Sequence, residues 1–259
     1  MRLNRGIKKV IYMKKFFQWA GIIVGIIVIS LIAWGFFQHE PVPVGKKSPQ
    51  TDGIIRRMHQ AINKTAWDTT AVVAWSFGGR HDFVWDKKNH LVEVTWGNKR
   101  VLLNPNKISG RAFVKGEEIT GGDAKELIQT AWSHFANDSF WLNAPAKVYD
   151  PGTERSLIVD PENERTGLLV HYGSGGVTPG DTYLWWLDEQ GLPEAWQMWV
   201  KIIPIGGIRS SWENWQRLDS GALIATEHRF GGFTLRIENL RSAASLAELG
   251  VDEGLFDGI

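Results

Sequence analysis

Along residues 73–104, apolar and polar positions alternate with the two-residue period of strands packed on one face. Val73, Trp75 and Phe77 alternate, as do Phe83 and Trp85, and then His90, Val92, Val94 and Trp96. Gly97-Asn98 has the composition of a two-residue hairpin turn, so residues 99–104 read as the return strand. A short strand is predicted at 111–115, with others at 155–159, 167–172, 182–187, 195–201, 210–217, 222–230 and 233–240. Asp188-Glu189-Gln190-Gly191 and Gly231-Gly232 supply turns between them. Helical spacing interrupts the pattern. Thr51-Asp52 offers a cap, and Ile54, Ile55, Met58 and Ile62 then form one face of a helix ending near Lys64. Asp123 caps a second helix, whose apolar face is Leu127, Ile128, Ala131, Trp132 and Phe135 and which ends near Asn137. Residues 242–249 read as a short tail helix. No regular β-α-β alternation and no internal repeat occur, which disfavours a doubly wound parallel sheet. The pattern predicts an α+β domain over residues 52–259, a single curved antiparallel sheet with one or two helices on its inner face.

Ahead of this domain, residues 16–37 contain no charged side chain. At about 1.5 Å per residue in a helix, such a run spans roughly 33 Å, the thickness of a bilayer's hydrocarbon core. Trp19 and Trp34 stand near its ends, and Arg2, Arg5, Lys8, Lys9, Lys14 and Lys15 precede it with no acid among them. The positive-inside bias then predicts a single-pass anchor in a bacterial inner membrane. Its N-terminus is cytoplasmic and the following domain periplasmic or otherwise extracytoplasmic. A cleaved signal peptide is the competing reading. Against it, the apolar run exceeds the usual ~7–15 residues and Gln38-His39-Glu40-Pro41 is a poor cleavage context. Either Met1 or Met13 can be the start. Gly21 and Gly25 form a G-x-x-x-G pair through which two anchors could approach as a homodimer. Residues 38–51, with Pro41, Pro43 and Pro49, read as an extended tether lifting the domain off the membrane.

Charge sharpens this division. The 259-residue chain carries +1, and removing the six N-terminal cations leaves −5 on the remainder, so a nucleic-acid footprint is excluded. There is no cysteine, which excludes disulfides, thiolate metal sites, cysteine nucleophiles and a lipidated cysteine. The composition is otherwise that of a globular protein, apart from 14 Trp, of which twelve lie beyond residue 40. A curved sheet must have one face covered or lining a cavity, and Trp supplies large apolar area with an N–H for a polar rim.

Three stretches have a familiar order and spacing. They are Trp75-Ser-Phe-Gly-Gly-Arg-His-Asp-Phe-Val-Trp85-Asp86, then Asn137-Asp138-Ser139-Phe140-Trp141-Leu142-Asn143-Ala144-Pro145 with Asp150-Pro151-Gly152, then Gly176-Val177-Thr178-Pro179-Gly180-Asp181-Thr182-Tyr183 with Gly191-Leu192-Pro193. Together they resemble a bacterial family of uncharacterised envelope proteins, itself similar to the LolA/LolB-type lipoprotein-carrier fold. The resemblance covers roughly residues 52–240. It implies a convex half-barrel of antiparallel strands with helices at its mouth, and no particular activity. Such proteins are often secreted or lipid-modified at a cysteine. This chain has an apolar run instead, which points to a tethered binder rather than a shuttle.

The alternating faces select Val73, Trp75, Phe83, Trp85, Val94, Trp96, Tyr183 and Trp185 as one apolar, ligand-binding wall. Trp185 and Trp186, as strand neighbours, must face opposite sides. Catalytic chemistry is not indicated. The seven histidines include no i, i+4 pair, and no metal site or cofactor is implied. Asp138 reads as part of a loop-organising Asn-Asp-Ser turn, or else as a general acid or base. Gly173-Ser174-Gly175-Gly176 is a flexible loop, and no G-x-S-x-G, P-loop or dinucleotide fingerprint is present. The expected function is a membrane-anchored envelope module holding a lipid, acyl chain or other apolar ligand. A scaffold domain with a filled core is the alternative, and a carboxylate hydrolase stands further off.

Overall fold

A computed structural model describes residues 37–160 and 164–259, together with residue 19 and residues 22–24. The anchor at 16–37 and the Gly21/Gly25 pair therefore lie outside the described residues almost entirely. Among the described residues, no helix is long and apolar enough to cross a membrane.

The first helix, α1 (Thr51–Ala61), buries Ile54, Ile55 and Met58 as their spacing requires. Its cap differs from the expected one: Gln50 precedes it and makes no side-chain capping bond. Asn63 then takes the left-handed conformation (φ 51°), which Asn tolerates better than most residues. Its side chain caps a second short helix, α2 (Lys64–Thr69), where the sequence pattern gave no helix. Six antiparallel strands follow: β1 (Val72–Phe77), β2 (His81–Asp86), β3 (Leu91–Trp96), β4 (Lys99–Asn104), β5 (Ser109–Val114) and β6 (Glu117–Ile119). The Gly97-Asn98 turn joins Trp96 to its partner Lys99 as predicted.

Helix α3 (Gly121–Asn143) is six residues longer than its expected end at Asn137. The Asn137-Asp138-Ser139 segment is therefore helical and not a turn. Asp138 and Leu142 continue the buried face set by Ala124, Ile128, Ala131 and Phe135, so tertiary burial outweighs the poor helix propensity of Asn, Asp and Ser. A short 3-10 turn (Ala144–Lys147) leads on to β7 (Thr153–Val159), β8 (Thr166–Tyr172), β9 (Asp181–Leu187), β10 (Pro193–Trp199), β11 (Ile208–Ser211), β12 (Glu213–Arg217), β13 (Leu223–Phe230) and β14 (Phe233–Ala243).

The expected single sheet is divided in two. One has nine strands in the order β12-β13-β14-β1-β2-β3-β4-β5-β6, the other five in the order β11-β10-β9-β8-β7, and both are open. The predicted strand at 210–217 is the joint. Its first half, β11, pairs with β10, and its second half, β12, pairs with β13. Between the halves stands Trp212, its side chain buried against Trp185 and Trp196. Asn214 just beyond is left-handed (φ 53°); its side-chain amide donates to Thr226 Oγ1 at 2.8 Å, and that hydroxyl donates to the Asn214 backbone carbonyl at 2.7 Å. The tail also differs from expectation. Residues 242–243 remain strand, paired with Val72 and Val73, and no helix follows. Leu246, Leu249 and Phe256 instead cover Val72, Ala74 and Leu102 on the outer face of the larger sheet.

The proposed tether is not free either. Lys46 exchanges both backbone hydrogen bonds with Leu157 on the β7 edge, at 2.8 and 3.0 Å. Glu40 is fixed at the far side of the same sheet, where its carbonyl accepts from Trp199 Nε1 at 2.7 Å. Crossing from β10 to β7 is three strand spacings, about 14 Å, and five extended residues reach that far. Pro41 and Pro43 stiffen the crossing. Residues 39–46 thus form a strap over the outer face of the five-stranded sheet.

Candidate functional site

Between α3 and the inner face of the five-stranded sheet lies a cavity of about 1140 Å³. The C-terminal half of α3 contributes Trp132, Phe135, Ala136, Phe140 and Trp141, one side of the helix being turned to this space. Tyr172, Tyr183 and Met198 alternate into it from β8, β9 and β10, and Phe230 closes it from the β13–β14 hairpin. The rim is formed by the loop after β8 (Ser174 to Thr178), by the loop after β10 (Val200, Ile202, Ile203, Ile205) and by Gln38 and Glu40 of the strap.

The eight residues expected to form one wall divide between two clusters. Val73, Trp75, Phe83 and Val94 are buried on the inner face of the larger sheet, and Trp85 and Trp96 pack against the same cluster. Phe135 of α3 sits on Trp75, Phe83 and Trp85 with ring centroids 5.0–6.5 Å apart, so this part of the wall is filled core. Tyr183 and Trp185 belong to the second cluster, on the other sheet. Tyr183 alone of the eight lines the cavity. Trp185 points inward and is buried, while Trp186 points outward against Trp199, as the strand rule requires. The strand pattern found the inward faces but carried no information on which of them α3 covers. Of the cavity residues on α3, Trp132 and Phe135 stood on the expected helix face, while Phe140 and Trp141 were hidden because its last turns were read as loop.

Polar side chains also line the cavity, among them Asn137, Ser139, Lys147, Asp150, Thr178 and Asp181. Asp181 is buried and organises the mouth, accepting from Thr178 Oγ1 at 2.5 Å and from the Lys201 backbone N–H at 3.0 Å. Burial, helped by Asp181, pushes the Tyr183 phenol upward. Burial likewise raises Tyr172 well above its ordinary value, so both phenols stay protonated at neutral pH. Tyr172 lines the cavity, while its hydroxyl is buried away from the cavity surface with no hydrogen-bond partner.

In a second cluster the sequence reading had singled out Asp138 but not its partners His81 and His134. Asp138, 2% exposed on α3, binds His81 Nδ1 of β2 at 2.7 Å and Asn137 Nδ2 at 2.8 Å. His134 stacks on His81 with centroids 3.9 Å apart. Burial raises the Asp138 carboxyl against the opposing effect of its two hydrogen bonds. Burial and the neighbouring His81 lower His134 to about 4. The i, i+4 spacing of His134 and Asp138 signals this pair once α3 is known to reach Asn143. A carboxylate so placed fixes the His81 ring, but no hydroxyl nucleophile is among the hydrogen-bond partners of either residue. Among the described residues, no group of three or more His, Asp or Glu is placed to hold a metal ion.

No family model matches the chain, and no curated protein does. Among solved structures, the chain is similar to the crystal structure of a DUF1329 family protein from Desulfovibrio piger, at 12% identity and a TM-score of 0.41, over 82% of this chain and 98% of that one.

Proposed function

We propose that this protein is an envelope binding module, anchored through residues 16–37 in a bacterial inner membrane, that holds the acyl chain of a lipid in the cavity between α3 and the five-stranded sheet. In this reading the two open sheets form the half-barrel of a LolA-like carrier. The anchor is supported by the charge-free run and its six leading cations. The observation that carries the ligand assignment is the cavity of about 1140 Å³ with Phe140, Trp141, Tyr172, Tyr183, Met198 and Phe230 in its wall. Apolar walls gain about 0.8 kcal/mol per CH₂ of a chain buried along them.

Native mass spectrometry of a chain beginning at residue 38, purified without detergent, tests this together with titration of a fluorescent fatty acid. Wild type is expected to carry a lipid-sized adduct or to take up the probe. Ala136→Trp, which places an indole in the cavity, should abolish uptake while the protein remains folded. A wild type with neither adduct nor uptake would sink the proposal and favour a scaffold with no ligand.

A further inference from the structure

The strap ties the cavity mouth to the end of the apolar run with almost no slack. His39 Nδ1 accepts a hydrogen bond from the Gly206 N–H at 3.0 Å, and the Glu40 N–H donates to the Gly206 carbonyl at 3.0 Å. Gln197 Nε2 donates to the Glu40 carboxylate at 2.8 Å, and Trp199 holds the Glu40 carbonyl. Two glycines make this approach feasible. A Cβ on Gly206 would stand 2.4 Å from the Trp199 ring, and one on Gly207, whose φ is +82°, would stand 2.6 Å from Glu40 Cβ. The charge-free run ends at Phe37, which is 89% exposed, and Gln38 alone separates it from the first pinned residue. Two residues of extended chain reach roughly 7 Å at most. The surface in which the run ends must therefore lie within that distance of His39, whose ring is bonded to Gly206.

Gly206 belongs to the loop between β10 and β11. Its tip is Ile202-Ile203-Pro204-Ile205, four apolar residues in a row, with Lys201 before them and Arg209 after. Ile202 is 73% exposed, and it lines the cavity rim with Ile203 and Ile205. Arg209 lies 3.9 Å from Glu40 and is otherwise exposed. An apolar tip between basic residues suits the boundary of acyl chains and anionic headgroups. At the other end of the five-stranded sheet, about 20 Å away along seven-residue strands, Val159 is exposed.

We propose that residues 201–209 form a membrane-docking lip that rests on the leaflet where the anchor emerges, so that the cavity opens onto the bilayer and loads a lipid directly from it. The proposal rests on the acyl-site reading above and narrows its ligand to a lipid resident in that leaflet.

The chain contains no cysteine, so single cysteines at Ile202→Cys and Val159→Cys, both at exposed positions, can carry an environment-sensitive fluorophore. The labelled full chain is reconstituted into phosphatidylcholine–phosphatidylglycerol vesicles with brominated acyl chains. Loss of emission at position 202 and none at 159 is the expected result. Equal emission at both positions, in protein that floats with the vesicles, overturns the lip while leaving the acyl site to be decided by mass spectrometry of the chain from residue 38. A full chain that does not float with vesicles overturns both the anchor and the lip. Quenching at 202 with an empty mass spectrum keeps the lip and overturns the acyl site.

Discussion

His228 on β13 is enclosed by Trp141 and Trp212, with one ring nitrogen bonded to the Ser211 carbonyl and the other unpartnered. Burial lowers it from 6.5 to about 4, against smaller opposing effects from Ser211 and Glu213. A base held neutral in the fold but free to charge in the unfolded chain binds fewer protons when folded. Stability is therefore complete above pH 6.5 and declines as pH falls toward 4. At 1.36 kcal/mol per pH unit the loss from this residue is on the order of 3 kcal/mol. Denaturant melts at pH 7 and pH 4.5 should show the decline in wild type, and His228→Phe should reduce it, His134, also lowered to about 4, supplying the remainder; an unchanged slope would assign the acid sensitivity elsewhere. Packing gives a second expectation at this scale. Trp75, 2% exposed and stacked on Phe83 at 4.5 Å, should cost about 3–5 kcal/mol when replaced by Ala. Phe140→Ala, with one side of its ring on the cavity, should cost measurably less in the same melts.

Elements show why parts of the fold were legible and others were not. Strand alternation and the Gly97-Asn98 and Gly231-Gly232 turns are local signals, and they placed β3, β4, β13 and β14 closely. The end of α3 is set by what Asp138 and Leu142 touch, the bend at Trp212 by which strand has a free edge, and the path of the strap by Gly206. None of these appears in a window of neighbouring residues. The candidate wall failed as a single unit for the same reason, because alternation gives the face but not its cover. The strap itself is open to test. A Cβ on Gly45 would stand 2.0 Å from Ser156 Oγ and 3.3 Å from Leu169 Cδ2. Gly45→Val should therefore lift residues 41–46 and expose the Lys46-Lys47 bonds. Limited trypsin digestion should cut the variant there faster than wild type, and equal rates would mean that the strap does not depend on this contact.

On the scale of the molecule, the folding unit begins before residue 52. The two inner clusters share Trp141 and Trp215, which pack against both, so they are expected to unfold together. Calorimetry of a chain starting at residue 38 should give one transition. A chain starting at 52 loses the partner of Trp199 Nε1, worth about 1–3 kcal/mol, and uncovers the β7 edge. It should melt earlier and aggregate at concentrations where the longer chain stays monomeric. Equal melting temperatures would reduce the strap to a surface attachment.

The row of indoles behind the cavity has an optical consequence. Trp196 lies 4.7 Å from Trp141, 4.9 Å from Trp185 and 5.2 Å from Trp212, centroid to centroid. Rings this close share their excited states, so the circular dichroism should carry an exciton contribution that changes when any one of them is displaced and is lost most fully when Trp196, which touches the other three, is replaced. Excitation will migrate along the row to Trp141, which borders the cavity. A polyene fatty acid seated there would drain emission from all four indoles at once, giving a signal for occupancy that needs no label.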